Sequence, residues 1–443
     1  MELVTRDIKS LYRKYLRAAL GGALILSVYS VVDMAMVGQY QGPDGTAALA
    51  VVGPFWNIIY SLGMLLGVGG SVLFTTLRAA SEGNRRLSDE YFTAAMLGTA
   101  IVLALSWAGI AFFDKELLVL FGADEHILPL AHRYLTPIKF GVPGFLVTEM
   151  LASFLRNDGA PGTATAAAVA GGVFNMIGDY VCVFVLDLGI FGAGLASAIG
   201  GWISLAVTLS HFLRKRCTLR LVKPRQPFRM LGRIVATGFS SFFLDIAVGI
   251  LTVLFNRQIL RWLGTDALSV YGVLINVSIF VQASAYGIGE AAQPLLSANF
   301  GAKQPQRVAE TRRRSICTAL FFGLLWSIIP LAVPKLLVRV FMKPTEAVLA
   351  LAPGIIRRYC LAYLLMPFTI SATYYFQALS RRGVSFVLSV LRGLVLSGTL
   401  VLLLPSLAGG ESLWLAMPLS ELGISVCAAA LMKRSKETID AAP

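Results

Sequence analysis

The chain has 443 residues, of which 56% are hydrophobic and only 14% charged, with a mean hydropathy of +0.73. Soluble proteins carry about 25% charged residues, so these values exclude a soluble globular protein and point to a membrane protein. The formal net charge of +14 raises nucleic acid as a partner, and the five Cys raise disulfides or a metal; the order of residues along the chain argues against all three.

The N-terminus is basic from Arg6 to Arg17 and runs into a long apolar segment with no small-residue cleavage site, which predicts a retained first helix rather than a signal peptide. Apolar runs then predict helices at 15–38, 46–78, 90–113, 127–157, 162–187 and 190–213. A polar, basic break follows from Arg214 to Arg229. The second set is 231–260, 267–299, 311–333, 346–379, 384–405 and 411–432. Each run is near the ~20 residues that span a bilayer, and the longer ones must tilt or extend beyond it. Cys182, Cys217, Cys317, Cys360 and Cys427 are scattered, with no CxxC and no Cys/His cluster in the sequence, so no disulfide framework or metal site is expected.

Basic residues sort onto one side of this twelve-helix arrangement. They lie at Arg6, Lys9, Arg13, Lys14 and Arg17 before the first helix, and at Arg78, Arg85, Arg86 and Arg156. The central break and the start of the next helix hold Arg214, Lys215, Arg216, Arg220, Lys223, Arg225, Arg229 and Arg233. The second half has Lys303, Arg307, Arg312, Arg313, Arg314, Arg381, Arg382, Lys433, Arg434 and Lys436. About 27 of the 38 basic residues therefore share a side, which predicts that both termini are cytoplasmic. The positive charge is a topology signal, and no nucleic-acid partner is expected.

The chain also repeats. GTAALAVVGPFWN from Gly45 resembles GTDALSVYGVLIN from Gly264, a shift of 219 that brings Asn57 onto Asn276. ASEGNRR from Ala80 resembles ANFGAKQ from Ala298, and HRY at 132–134 aligns loosely with RRY at 357–359. Two six-helix halves with the same topology are a parallel repeat, and two such lobes facing a central cavity can rock to give alternating access. The expected organisation is an N-lobe over 1–213, a cytoplasmic linker over 214–230 and a C-lobe over 231–443.

Polar residues inside the spans are the candidate site. Asp33 is the only acid in the first helix, and Asp179 follows Asn175 by one turn on the same face of the fifth. Ser197 lies in the sixth helix; Asp245, Gly249, Thr252 and Asn256 follow helical spacing in the seventh; Gln282, Tyr286, Glu290 and Gln293 form a polar stripe in the eighth; Glu421 sits in the twelfth. An ionised acid at mid-membrane costs about 2.5–3.5 kcal/mol on insertion scales, so Asp33, Asp179 and Glu290 are read as functional. Gln282 and Gln293 read first as interhelical hydrogen bonds. His126, His132 and His211 are read as no ligands, and Arg392 in the eleventh helix has no assigned role.

VVDMAMVG at 31–38, FLRNDGAP at 154–161, NMIGDYVCVF at 175–184 and GIFGAGLASAIG at 189–200 together resemble the multidrug and toxic compound extrusion (MATE) family. So do GIGEAAQPLLSANFGAK at 287–303, SVLRGLVL at 389–396 and WLAMPLSE at 414–421, and the likeness is nearest to the bacterial DNA-damage-inducible-protein-F-like branch. The resemblance implies an all-α integral membrane protein of twelve transmembrane helices in two pseudo-symmetric six-helix lobes around a central cavity. It implies an antiporter, not an enzyme, that expels organic cations from a bacterial inner membrane in exchange for H+ or Na+, without a cofactor and as a monomer. The family's N-lobe cation site maps onto Asp33, Asn175, Asp179 and Ser197. Ala152 stands where related sequences often carry an Asn of that site, and Ala18 where the first helix often has a Pro, leaving Gly21 and Gly22 to permit bending. Candidates for the substrate cavity are Asp33, Tyr29, Asn57, Gln282, Tyr286 and Glu290. Three alternatives are weighed. A flippase for a lipid-linked substrate would want a cationic cavity, whereas the mid-span charges are mainly acidic. A membrane-embedded enzyme would want a His/Asp or metal-ligand constellation, and a channel would need no coupled acid site.

Overall fold

The computed structural model describes residues 2–215, 217–342 and 344–440; of the basic positions named above, Arg216 lies outside them. Among the described residues there is no β-strand, and twelve helices are long and apolar enough to cross a membrane. In chain order they are α1 Ile8–Gly42, α2 Asp44–Ala80, α3 Arg85–Leu120, α4 Leu128–Asn157, α5 Pro161–Val185 and α6 Gly189–Leu213. The second six are α7 Pro227–Trp262, α8 Thr265–Gly301, α9 Pro305–Ala332, α10 Glu346–Ala378, α11 Arg382–Ala408 and α12 Gly410–Arg434. A short helix, Pro334–Phe341, precedes α10.

Several helices outrun the apolar runs that announce them. α1 begins at Ile8 rather than 15, and α3 runs from Arg85 to Leu120 rather than over 90–113. The helical hydrogen-bond ladder needs no apolar residues, so it continues into polar flanks that hydropathy excludes. The end expected near 113 marks a real event, because Phe113 leaves helical geometry there (φ −125°, ψ 25°) and kinks α3. Large apolar side chains on the outside of α3, such as Leu105 at 68% and Phe112 at 76% exposure, suit lipid rather than water.

The chain forms two compact units. The first comprises Arg13–Phe242 with the residues before Asp7, and the second runs from Phe243 with Asp7–Tyr12. The division thus falls inside α7, beyond the basic segment where composition alone would put it.

In the first unit α6 packs on both α4 and α5. Two glycines allow it. A Cβ at Gly171 of α5 would meet the Ser204 Oγ and come within 2.7 Å of the Gly200 carbonyl; one at Gly194 of α6 would collide with the Tyr134 carbonyl. Small residues let helix backbones approach where no water is present to drive association. A Phe74–Phe154–Phe92 cluster, with edge-on ring centroids 5.7 and 5.0 Å apart, anchors α2, α3 and α4. In the second unit α10 packs on α8 and α9.

Corresponding positions in the two halves share backbone devices. Gly42 (φ 67°) joins α1 to α2, and Gly264 (φ 85°) joins α7 to α8. Gly159 (φ 83°) turns the chain after α4, and Ser380 (φ 56°) does so after α10. Both α5 and α11 contain a π-helical turn, at Tyr180–Val185 and Leu391–Val395. Such turns re-aim the side chains beside them. The first follows directly on Asp179 and the second contains Arg392.

Candidate functional site

Four helices of the first unit converge on one polar cluster. α1 supplies Tyr29 and Asp33, α4 supplies Tyr134, α5 supplies Asn175 and Asp179, and α6 supplies Ser197. Asp33, Asn175, Asp179 and Ser197 are all buried, with Asp179 at 0% exposure. The Gly171 and Gly194 contacts set α6 at the distance this requires. The Asn175 amide donates to the Ser197 hydroxyl at 2.9 Å and reaches one Asp179 oxygen at 3.4 Å. Tyr134 donates its hydroxyl to Asp33 Oδ2 at 2.9 Å. Tyr29 lies against Gly172 of α5 and within electrostatic reach of both carboxylates, which also sense each other.

The other oxygen of each group is unused. Asp33 Oδ1, Asn175 Oδ1 and Asp179 Oδ2 are buried and have no hydrogen-bond partner. All three are acceptors. Two adjacent carboxylates in a dry interior cannot both stay charged and unpaired. The cluster can therefore do one thing readily: take up a proton, or a small hard cation that prefers oxygen ligands.

Sequence reasoning missed Tyr134. It is the hydrogen-bond donor to Asp33, yet it sits in HRY, a segment noticed only for its place in the repeat. Of the other candidates, Asn57 is exposed on α2, where its carbonyl accepts from Ser61 Oγ at 2.6 Å. Gln282, Tyr286 and Glu290 lie on α8 in the second unit; Glu290 is buried, and Tyr286 packs edge-on to Tyr374 at 6.5 Å.

The second unit handles its buried charge differently. Arg392 donates Nε to Glu421 Oε1 at 2.9 Å and to Thr369 Oγ1 at 3.2 Å, and a terminal nitrogen also lies 2.9 Å from Glu421 Oε1. Thr369 donates in turn to Glu421 Oε2 at 2.5 Å. Glu421 is wholly buried and Arg392 nearly so. The arginine without an assigned role is thus the counter-ion of the acid in the twelfth helix, and this cluster is neutral without any ion from outside.

At one end of the first unit, the FLRNDG segment proves to be a fastening. Asn157 accepts from Thr75 Oγ1 at 2.7 Å. Asp158 pairs with His211 Nε2 at 2.8 Å, and accepts from the Thr218 amide at 3.0 Å and from the Thr218 hydroxyl. Arg78 reaches both the Thr218 carbonyl, at 3.1 Å, and Asp89, at 3.0 Å. Asp158, His211 and Cys217 hold ligand-type atoms all within 4.8 Å of one another. Their separation in sequence hid that cluster. Hydrogen bonds already take up both Asp158 oxygens, so it reads as a structural network.

The sequence model of the MatE family matches residues 18–181 and 239–400, one block in each half. The chain is 25% identical to Multidrug export protein MepA of Staphylococcus saprophyticus subsp. saprophyticus over 284 residues, 63% of this chain. That match covers 62% of the relative's length. Among solved structures, an outward-facing multidrug resistance MATE family transporter of the MOP superfamily superposes with a TM-score of 0.91 at 17% identity, covering 100% of this chain and 98% of that one. A MOP superfamily transporter from Pyrococcus furiosus Vc1, described as having a binding pocket of reverse polarity, superposes equally well, at 17% identity and with the same coverage.

Proposed function

The chain belongs to the MatE family, and on that footing we propose that it is a secondary active antiporter that expels organic cations in exchange for H+ or Na+ by alternating access. The observation that carries the proposal is the set of three buried acceptor oxygens, on Asp33, Asn175 and Asp179, with no donor to meet them. Asp33, Asn175, Asp179 and Ser197 form the coupling-ion site. Loading it neutralises two carboxylates, which changes the hydration cost of the site and so biases the equilibrium between two global states. Antiport follows when the exported cation favours the opposite state. The multidrug export named for MepA supports small molecules as substrates, and their positive charge is part of this proposal.

A flippase would need a basic mid-span group for an anionic head. Arg392, the arginine inside the eleventh helix, is committed to Glu421 and Thr369 and is not available for that role. The function is tested in proteoliposomes by loading a fluorescent lipophilic cation such as ethidium and imposing a pH gradient or a sodium gradient in turn. Uphill movement with either gradient supports antiport; movement that only ever runs downhill, whatever the gradient, contradicts it.

Glu290 is the proposed charge complement for the exported cation. Glu290→Gln should reduce transport of cationic substrates on the order of tenfold, the loss of one charge-assisted contact of about 1.5 kcal/mol, and spare neutral ones. Paired initial-rate measurements with one cationic and one neutral dye check this. Equal losses for both would remove Glu290 from the substrate site.

The orientation is the one the basic residues favour, with both termini cytoplasmic in a bacterial inner membrane. A single Cys at Val222 in an otherwise Cys-free chain should resist a membrane-impermeant thiol reagent in intact cells and react in inverted vesicles. Labelling in intact cells would overturn the orientation.

A further inference from the structure

An arginine cleft at the head of α7 has no part in the coupling site. Arg225 precedes the helix, while Arg229 and Arg233 lie four residues apart within it and share a face. All three line one cleft with Tyr91, Leu87 and Met230. Among the described residues that line it the one carboxylate is Glu90, and that is shared: Arg225 approaches it at 3.8 Å and Arg86 at 3.7 Å. The partners of the other two arginines are neutral. Arg229 donates to the Gln226 amide oxygen at 3.2 Å, and Arg233 to the Tyr91 hydroxyl at 3.1 Å. The cleft therefore carries a surplus of guanidinium charge over carboxylate.

Apolar side chains accompany the arginines. Leu87 and Met230 line the cleft itself, Leu87 being exposed there, and Phe228, next to Arg229 in sequence, is 81% exposed. Guanidinium forks match phosphate oxygens bidentately. A free phosphate would use the arginines and leave Phe228 and Leu87 in water. A phospholipid uses both, with its phosphate among the arginines and its acyl chains over the phenyl and leucyl side chains, at the level where a spanning helix enters the bilayer. We propose that Arg225, Arg229 and Arg233 form a binding site for the head group of an anionic phospholipid, with Phe228 and Leu87 seating its chains. This site does not rest on the antiport mechanism.

The test is lipid titration of the full-length, delipidated protein in detergent, followed by native mass spectrometry. The probes are phosphatidylglycerol, phosphatidylcholine and glycerol phosphate, the last being the head group without chains. Wild type should bind phosphatidylglycerol well above phosphatidylcholine. Arg225→Gln/Arg229→Gln/Arg233→Gln should weaken phosphatidylglycerol binding on the order of 100-fold, the combined effect of three surface arginines. Lys9→Gln/Arg13→Gln/Lys14→Gln, which removes three exposed basic residues elsewhere, should leave it unchanged. Phe228→Ser is a second probe that keeps every charge: it should weaken the lipid and not glycerol phosphate. Equal losses in the two triple variants would mean that bulk surface charge, not a site, holds the lipid. Displacement of the lipid by equimolar glycerol phosphate would make the cleft a free-anion site, and either result overturns the proposal.

Discussion

Asp33→Asn and Asp179→Asn are each expected to reduce gradient-driven efflux to the level of protein-free liposomes, while the protein still inserts and folds. The amide keeps the size of each side chain and removes the carboxylate proposed to bind and release the coupling cation. The two losses should not be additive, because the carboxylates load as a pair. Neither replacement should harm the fold. In Asp33→Asn the Tyr134 hydroxyl can still donate to the amide oxygen, as it now donates to Oδ2. In Asp179→Asn a buried carboxylate oxygen that has no donor is removed. Initial rates of ethidium efflux, normalised to folded protein by size-exclusion chromatography, give the answer. A wild-type rate in either variant would make that residue structural.

The opposite pattern is expected for Arg392→Met: a large loss of stability. Glu421 is wholly buried, and its charge is held by Arg392 at 2.9 Å. Removing the arginine leaves a buried carboxylate with only the Thr369 hydroxyl, a change that costs about 3–5 kcal/mol in comparable buried pairs. Glu421→Met should cost a similar amount for the mirror-image reason. The double variant Arg392→Met/Glu421→Met should recover most of the loss, since a buried pair can be exchanged for apolar side chains at little net cost. Thermal unfolding midpoints in detergent, for the two single variants and the double, measure this directly. Single variants as stable as wild type would show that the pair is screened by water and not a sealed ion pair.

The contrast between those two clusters explains what could be read from sequence and what could not. Asp33 and Asp179 announced themselves because a carboxyl inside a long apolar run has few inexpensive explanations. Asn175 followed from the i, i+4 rule within one helix. Tyr134 did not, since a tyrosine in a membrane helix is common and its partner lies 101 residues away. The Arg392–Glu421 pair was equally hidden: each residue was visible as an oddity, but nothing local to either says that they meet across 29 residues and a π-turn. The same holds for Asp158, His211 and Thr218, where FLRNDG was legible as a family signature and its work as a fastening was not. The helices themselves were legible because hydropathy reports burial in lipid. Their ends were less so, because α1 and α3 continue into polar flanks where hydrogen bonding, not transfer energy, sustains the helix. The division within α7 was hidden too, since a continuous helix gives no compositional sign of belonging to two units.

The central claim is that an ion held by Asp33, Asn175 and Asp179 and the exported cation are linked through one protein equilibrium. Linkage is reciprocal, so a substrate gradient must drive the ion as surely as an ion gradient drives the substrate. The direct measurement is ion movement in proteoliposomes given only an ethidium gradient, read with an internal pH dye and, separately, with radioactive sodium. Wild-type protein should move one of the two ions against its own gradient, and the Asp33→Asn/Asp179→Asn double variant should move neither. Ethidium flux in the wild type with no movement of protons or sodium, or uphill ion movement that survives in the double variant, would contradict it.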